Sequence, residues 1–373
     1  MGAAQAQSLS WLAAIRQPEQ VQAWSLTDWE HVVRLSRRLR LLGRLADSVI
    51  GANLLGTVPV PVASQLSAEL RFSRWRTQAL SWTLERLSTT LADVAYPLVL
   101  LKGCAYLGQG LDIASGRLPS DVDILVPQAH IADAQQRLLA AGWEEPELDE
   151  HDQRYYHQYS HEVPPMRHPV HSLELDLHHN ILPPVARTRV DASLLLARLQ
   201  PSQWPAWQVL HPHDQVLHSA THLFHDSEAR DRLRDLVDLD GLLRHFGQHS
   251  DFWSGLPERA AELGLAEPLA LACHFLTRWL GTPIPEAALR PIQAQGPSSW
   301  RRAWLHPLLE AVLTPTLPDA SPLRRQHLAS QVLLARYHLA RMPLGMLVHH
   351  LWHKHRAARR AAVEVAATAK DQR

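Results

Sequence analysis

The stretch PSDVDILV, residues 119–126, sets the strictest condition on what this chain can fold into. Asp121 and Asp123 stand one residue apart inside an apolar run formed by Val122, Ile124, Leu125 and Val126. A strand sends residues i and i+2 to the same face, so both carboxylates point the same way. Two like charges held that close raise each other's pKa and oppose folding unless something offsets them. The run is therefore either the wet face of a strand or half of a cation site.

Two other segments bear on the choice. LVLLKG, residues 98–103, is a short apolar run closed by a glycine and reads as a buried strand ending in a turn. HSLELDLHHNIL, residues 171–182, alternates apolar and polar residues. That period puts Glu174, Asp176 and His178 on one face and Leu173, Leu175 and Leu177 on the other. If the second and third strands are neighbours, Asp176 faces Asp121 and Asp123. Three carboxylates meeting on a sheet need cations, and magnesium suits one or two carboxylates plus substrate phosphates. Gly103 lets the backbone approach a phosphate, and Lys102 or Arg117 can neutralise phosphate charge.

The flanks read as helices. Residues 29–50 place Val32, Val33, Leu35, Leu39, Leu42 and Leu45 largely on one side. Residues 58–94 continue with Leu66, Leu70, Trp75, Leu80, Leu84, Leu87 and Leu91, their arginines forming a solvated face. Residues 127–143 read as a helix capped by Gly142, and 145–170 as an irregular or hairpin segment. From about 190 the chain reads as helical again, with a break near Asp226-Ser227 and a helical hairpin over 257–281. The division expected is an N-terminal helical region over 1–94, an α/β core over 95–188 and a C-terminal helical domain over 189–373. The fold class is α+β, a mixed sheet flanked by helical regions.

The order LLKGCAYLGQGLDIASGRLPSDVDILV followed by LELDLHH resembles the polymerase-β-type nucleotidyltransferase superfamily. Within it, the chain most resembles the bacterial family of uncharacterised nucleotidyltransferases. The matching positions are Lys102-Gly103, Arg117, Asp121-Val122-Asp123 and Asp176-Leu177-His178. The small or serine residue usual after the glycine is Cys104 here, and the third acid is Asp176 where the family often has Glu. The resemblance implies transfer of an NMP group from an NTP, with ATP the leading candidate. It implies Mg2+ (or Mn2+) on Asp121, Asp123 and Asp176, with Asp176 as base. Lys102, Gly103, Cys104, Arg117 and Ser120 would hold the nucleotide, and Glu174 and His178 would stand behind the metal ligands. It leaves the acceptor open among a protein hydroxyl, an RNA end, a small molecule and a sugar phosphate. A nucleotide-binding sensor or scaffold of the same fold, without turnover, is the alternative.

Other readings are weaker. His168, His171, His178 and His179 match no zinc spacing, and His178 and His179 point to opposite faces. His222, His225, Arg232, Arg234 and Asp238 fall at helical spacings that suit a cleft or surface salt bridges. HHLWHKHRAARR, residues 349–360, reads as a basic solvated helix. The formal net charge is zero, so the whole molecule is no electrostatic magnet for nucleic acid. Two distant cysteines give no disulfide framework and fit a reducing cytoplasm. Neither a secretory leader nor a membrane span is expected.

Overall fold

The structure of the protein is a computed structural model that describes residues 9–225, 229–342, 345, 347 and 348. Residues 349–360, which hold the basic stretch, lie outside the described residues, as do Asp226 and Ser227.

After two short 3-10 turns, three helices open the fold: α1 (Leu26–Arg38), α2 (Leu42–Gly51) and α3 (Val60–Thr90). Ser25 and Asp28 cap α1 reciprocally, satisfying donors that have no partner inside the helix. The amphipathic run over 29–50 is two helices rather than one, because Arg40 takes a left-handed φ of +56°. Its six predicted apolar positions are all buried. On α3 the buried stripe holds Leu66, Leu70, Leu80, Leu84 and Leu87, but Trp75 is 51% exposed. At about 100° per residue Trp75 lies roughly opposite Leu66, while the small Ser73 falls on the buried side. Trp75 stacks instead on the exposed Phe72.

The middle of the chain supplies β1 (Val99–Leu100), α4 (Lys102–Gly108), β2 (Asp121–Leu125), α5 (Ile131–Ala140), α6 (Glu150–Tyr159) and β3 (Glu174–His178). The segment expected to be irregular over 145–170 contains α6. It then returns antiparallel beside β3 through bridges Glu162–His178 and Met166–Leu175. That return covers what would otherwise be a bare sheet edge.

Past α7 (Ala192–Leu196), the reading of the chain as helical from 190 needs correction. β4 (Gln200–Pro201) and β5 (Gln208–Val209) form a hairpin, and β5 adds parallel to β1. The sheet order is β3-β2-β1-β5-β4, with β2 and β3 parallel and β1 antiparallel to β2. β1, β4 and β5 are two residues long, too short for period-2 alternation to show. The fold is α+β: a five-stranded mixed sheet flanked by helices.

The remaining helices are α8 (Pro212–His225), α9 (Leu233–Phe246), α10 (Ser250–Glu262), α11 (Ala266–Phe275), α12 (Glu286–Gln295), α13 (Ser299–Leu313) and α14 (Arg324–Arg341). The hairpin expected over 257–281 is α10 and α11, ending in a π turn at Gly281. Arg259 on α10 makes a bidentate pair with the fully buried Asp214 on α8, at 2.6 and 2.8 Å. Among the described residues no helix is long and apolar enough to cross a membrane.

Candidate functional site

The parallel register of β2 and β3 decides which acids meet. Asp121 is opposite Glu174, and Asp123 is opposite Asp176. Neighbouring strands lie about 4.8 Å apart, so Asp123 and Asp176 are forced into electrostatic contact. The alternate residues Val122, Ile124, Leu175 and Leu177 are buried on the other face. Asp121, Asp123 and Asp176 all line one cleft of about 1100 Å3. Glu174 does not line it; its carboxylate takes Arg167 Nε at 2.7 Å.

The charges in this cleft are unequally offset. Lys102 Nζ donates to Asp123 Oδ1 at 2.8 Å, and His178 Nε2 approaches the same oxygen at 3.2 Å. Burial alone would raise the Asp123 pKa, but Lys102 and His178 hold it well below the usual carboxylate range. The Lys102 ammonium is itself held charged, because Asp123 and Asp121 outweigh its burial. Among the described residues no cation pairs with Asp176 in this way. Burial, then Asp123, and then Glu162 and Asp121 push its carboxyl up to about 7, against the opposing charge of His178. His178 therefore pairs with Asp123.

The turn before α4 is built differently from expectation. The left-handed residue is Lys102, with φ +44°, and not Gly103. A side chain in that region costs roughly 1–2 kcal/mol, offset here by the ion pair to Asp123. Gly103 is needed for space: a Cβ there would collide with Arg117 Nη1. Arg117 is buried, donates from Nε to Asp238 Oδ2 at 2.9 Å, and lies 5.6 Å from the Tyr106 ring. Gly103→Ala is expected to destabilise the protein by about 3 kcal/mol, because displacing Arg117 leaves Asp238 buried without its partner. Thermal unfolding checks this, and an unchanged midpoint would contradict it.

Cys104 is buried, with Sγ 4.0 Å from the Asp121 carbonyl. Burial and the Asp123 charge raise its thiol pKa strongly, so it is no nucleophile. Ser120 Oγ donates to Asp121 Oδ1 at 2.9 Å.

The helical flanks complete the cleft. His222, Arg232, Arg234 and Asp238 line it, as does Arg40; His225 lines a different cavity. Asp235, also in the cleft, is held well below the usual range: burial opposes this, but His222, Arg232 and Arg234 outweigh it. The N-terminal helices clamp the loop that leads into β2. Gly43 on α2 and Gly116 on the loop leave each other no room for a Cβ. Ser73 Oγ donates to the Arg117 carbonyl at 3.1 Å. Arg76 donates to the Pro119 carbonyl at 3.0 Å and the Ser172 carbonyl at 3.1 Å. It thus ties the entry of β2 to the entry of β3, and it is not part of a merely solvated face.

Sequence reasoning missed Arg40, Asp235 and Glu162 in the cleft; Glu162 reaches both the cleft and His178. No pattern in residues 145–170 signalled it, since its place comes from the bridge to His178.

The donors aimed into the cleft are carboxylate oxygens, the set a hard divalent cation takes. Burial and the neighbouring Asp123 raise the Asp176 pKa, and a divalent ion held by Asp121, Asp123 and Asp176 would offset the charge they gather.

A family model described as uncharacterised nucleotidyltransferase matches residues 25–281, from the N-cap of α1 through the sheet to the end of the π turn. Comparison with curated proteins and with solved structures finds no match to the chain.

Proposed function

Because this chain belongs to the uncharacterised nucleotidyltransferase family, we propose that it moves an NMP group from an NTP to an acceptor hydroxyl, with magnesium and with release of pyrophosphate. The supporting observation is the register that sets Asp176 beside Asp123, with no cation paired to Asp176 in this way among the described residues.

Asp121, Asp123 and Asp176 would hold the ion. Magnesium, when bound, supplies positive charge that offsets the phosphates and the leaving pyrophosphate. The chain's own residues divide the remaining work. Lys102 and His178 keep Asp123 ionised and fixed in place. Arg40, Arg232 and Arg234 give the cleft a cationic wall for the triphosphate. Arg117 and Asp238 brace the turn at Gly103. Asp176 accepts the proton of the acceptor hydroxyl. The acceptor oxygen bonds to the α-phosphorus, and the bond from that phosphorus to the bridging oxygen breaks.

The test is to incubate pure protein with magnesium, labelled NTPs and candidate acceptors. Pyrophosphate release that requires an acceptor supports transfer. Tight nucleotide binding without release on any acceptor would favour a sensor or scaffold instead.

Metal affinity should depend on pH. Asp176 must give up its proton to bind a cation, so affinity is expected to rise with pH up to and through about 7. Binding near pH 6.5 should release a proton, which calorimetry in two buffers of different ionisation enthalpy measures. Affinity that falls or stays flat with rising pH would contradict the placement of Asp176.

A further inference from the structure

We propose that His161, Glu162 and His178 form a second cation site, distinct from the carboxylate cleft, that takes a zinc-class divalent transition metal. One potential ligand atom from each residue lies within 4.8 Å of the others. Glu162 Oε2 is 3.3 Å from His178 Nδ1 and 4.0 Å from His161 Nε2. Ligands around a tetrahedral zinc at about 2.1 Å stand roughly 3.4 Å apart, so small side-chain shifts complete the set.

The second observation is an orphan. His178 is 3% exposed, yet Nδ1 makes no hydrogen bond among the described residues, although Glu162 lies close. Its other nitrogen, Nε2, faces the ionised Asp123, which can only accept, so Nε2 carries the hydrogen. A metal that displaces the proton from Nδ1 would find its lone pair facing the cluster. A ring that donates to a carboxylate from one nitrogen and ligates through the other is the usual arrangement of metal-binding histidine. Burial also lowers the pKa of His161, which keeps that ring neutral.

The local structure explains the gathering. The bridge between Glu162 and His178 puts these residues across from each other on paired strands. All three line a cavity beside the cleft, which also holds Thr221, a buried residue whose Oγ1 is unpaired. That cavity gives room for a fourth ligand, such as water. Lys102 also borders it, but its charge is answered by Asp123 and Asp121. Two imidazoles and one carboxylate favour zinc over magnesium, which prefers oxygen ligands. The metal would fix His178 as a donor to Asp123 and so couple the two sites, while the cleft keeps its own ion.

The experiment uses the full chain, stripped with a chelator and titrated with zinc under excess magnesium. One equivalent of zinc is expected to bind the wild type. His161→Ala and Glu162→Gln should each weaken it by at least ~10-fold, with folding checked by circular dichroism. Asp121→Asn should leave zinc binding unchanged while impairing magnesium-nucleotide binding, so the two sites fail separately. Cobalt should give visible d–d bands that Glu162→Gln abolishes. Absence of zinc uptake by the folded wild type would overturn the proposal, as would zinc binding that neither variant changes, an adventitious ion only.

Discussion

Asp176→Asn should make the metal-free protein more stable at pH 8 while destroying its use of magnesium. The Asp176 carboxyl is pushed up to about 7 from an ordinary 3.8 by burial and by Asp123, with Glu162 and Asp121 adding to it. The folded state thus prefers the protonated acid. The stability this gives is full below about 4, declines as pH rises, and is gone above about 7. Three pKa units correspond to about 4 kcal/mol, and residual solvent contact reduces the expected gain to roughly 2–4 kcal/mol. For a chain of this size that is a rise in Tm of about 3–5 °C. Asn mimics the neutral acid, so its advantage should grow between pH 4 and 7 and then level off. Magnesium should reverse the ranking, since a ligand stabilises only the state that binds it. Thermal unfolding of both proteins at pH 5 and pH 8, with and without magnesium, measures all four corners. A variant no more stable than wild type at pH 8 would show that Asp176 is not under this strain.

Asp121→Asn should weaken magnesium-dependent NTP binding by at least ~100-fold, or about 2.7 kcal/mol, with little change in Tm. Asp121 is half-buried, and its side chain accepts a hydrogen bond from Ser120, which an amide oxygen can still accept. The variant therefore removes a charge from the cleft without breaking an ion pair. Asp123→Asn is a poorer probe, because it leaves the buried Lys102 without its partner. Losing one member of such a pair costs about 3–5 kcal/mol, so lost binding and lost folding would be confounded. Calorimetric titration with magnesium and a slowly hydrolysed NTP analogue separates the cases. Undiminished binding by Asp121→Asn would remove the cleft from consideration as the nucleotide site.

Both predictions rest on a face that was legible in the sequence. Alternation in LELDLHH and DVDILV placed the acids on one side of each strand, and the leucines and valines opposite are buried. The same reasoning failed where the elements were too short or where side chains reached across the fold. Two-residue strands such as β4 and β5 carry no period. Arg76 and Arg44 looked like solvated helix positions, yet they donate to carbonyls of the loop before β2. Trp75 misled because apolar character outweighed its angle on the helix.

The Lys102-Gly103 turn shows the division most clearly. The pair of residue types was visible, but how the fold uses them was not: Lys102 bears a left-handed backbone, and Gly103 provides the gap for Arg117. Neither duty can be read from the local string, since each depends on a partner many residues away, Asp123 for one and Arg117 with Asp238 for the other.

By itself the sequence determined the local periodicities: which faces of the long helices and strands are apolar, and that three acids lie on the polar faces of two strands. Those follow from covalent geometry, which repeats every 3.6 or 2 residues whatever the rest of the chain does. Tertiary structure decided how those faces meet. The parallel register pairs Asp123 with Asp176 and leaves Glu174 to Arg167. The return of residues 162–167 beside β3 brings Glu162 to His178. These are consequences of which strands pack together, and pKa values, ion pairs and ligand sets depend on distances through space rather than on spacing along the chain.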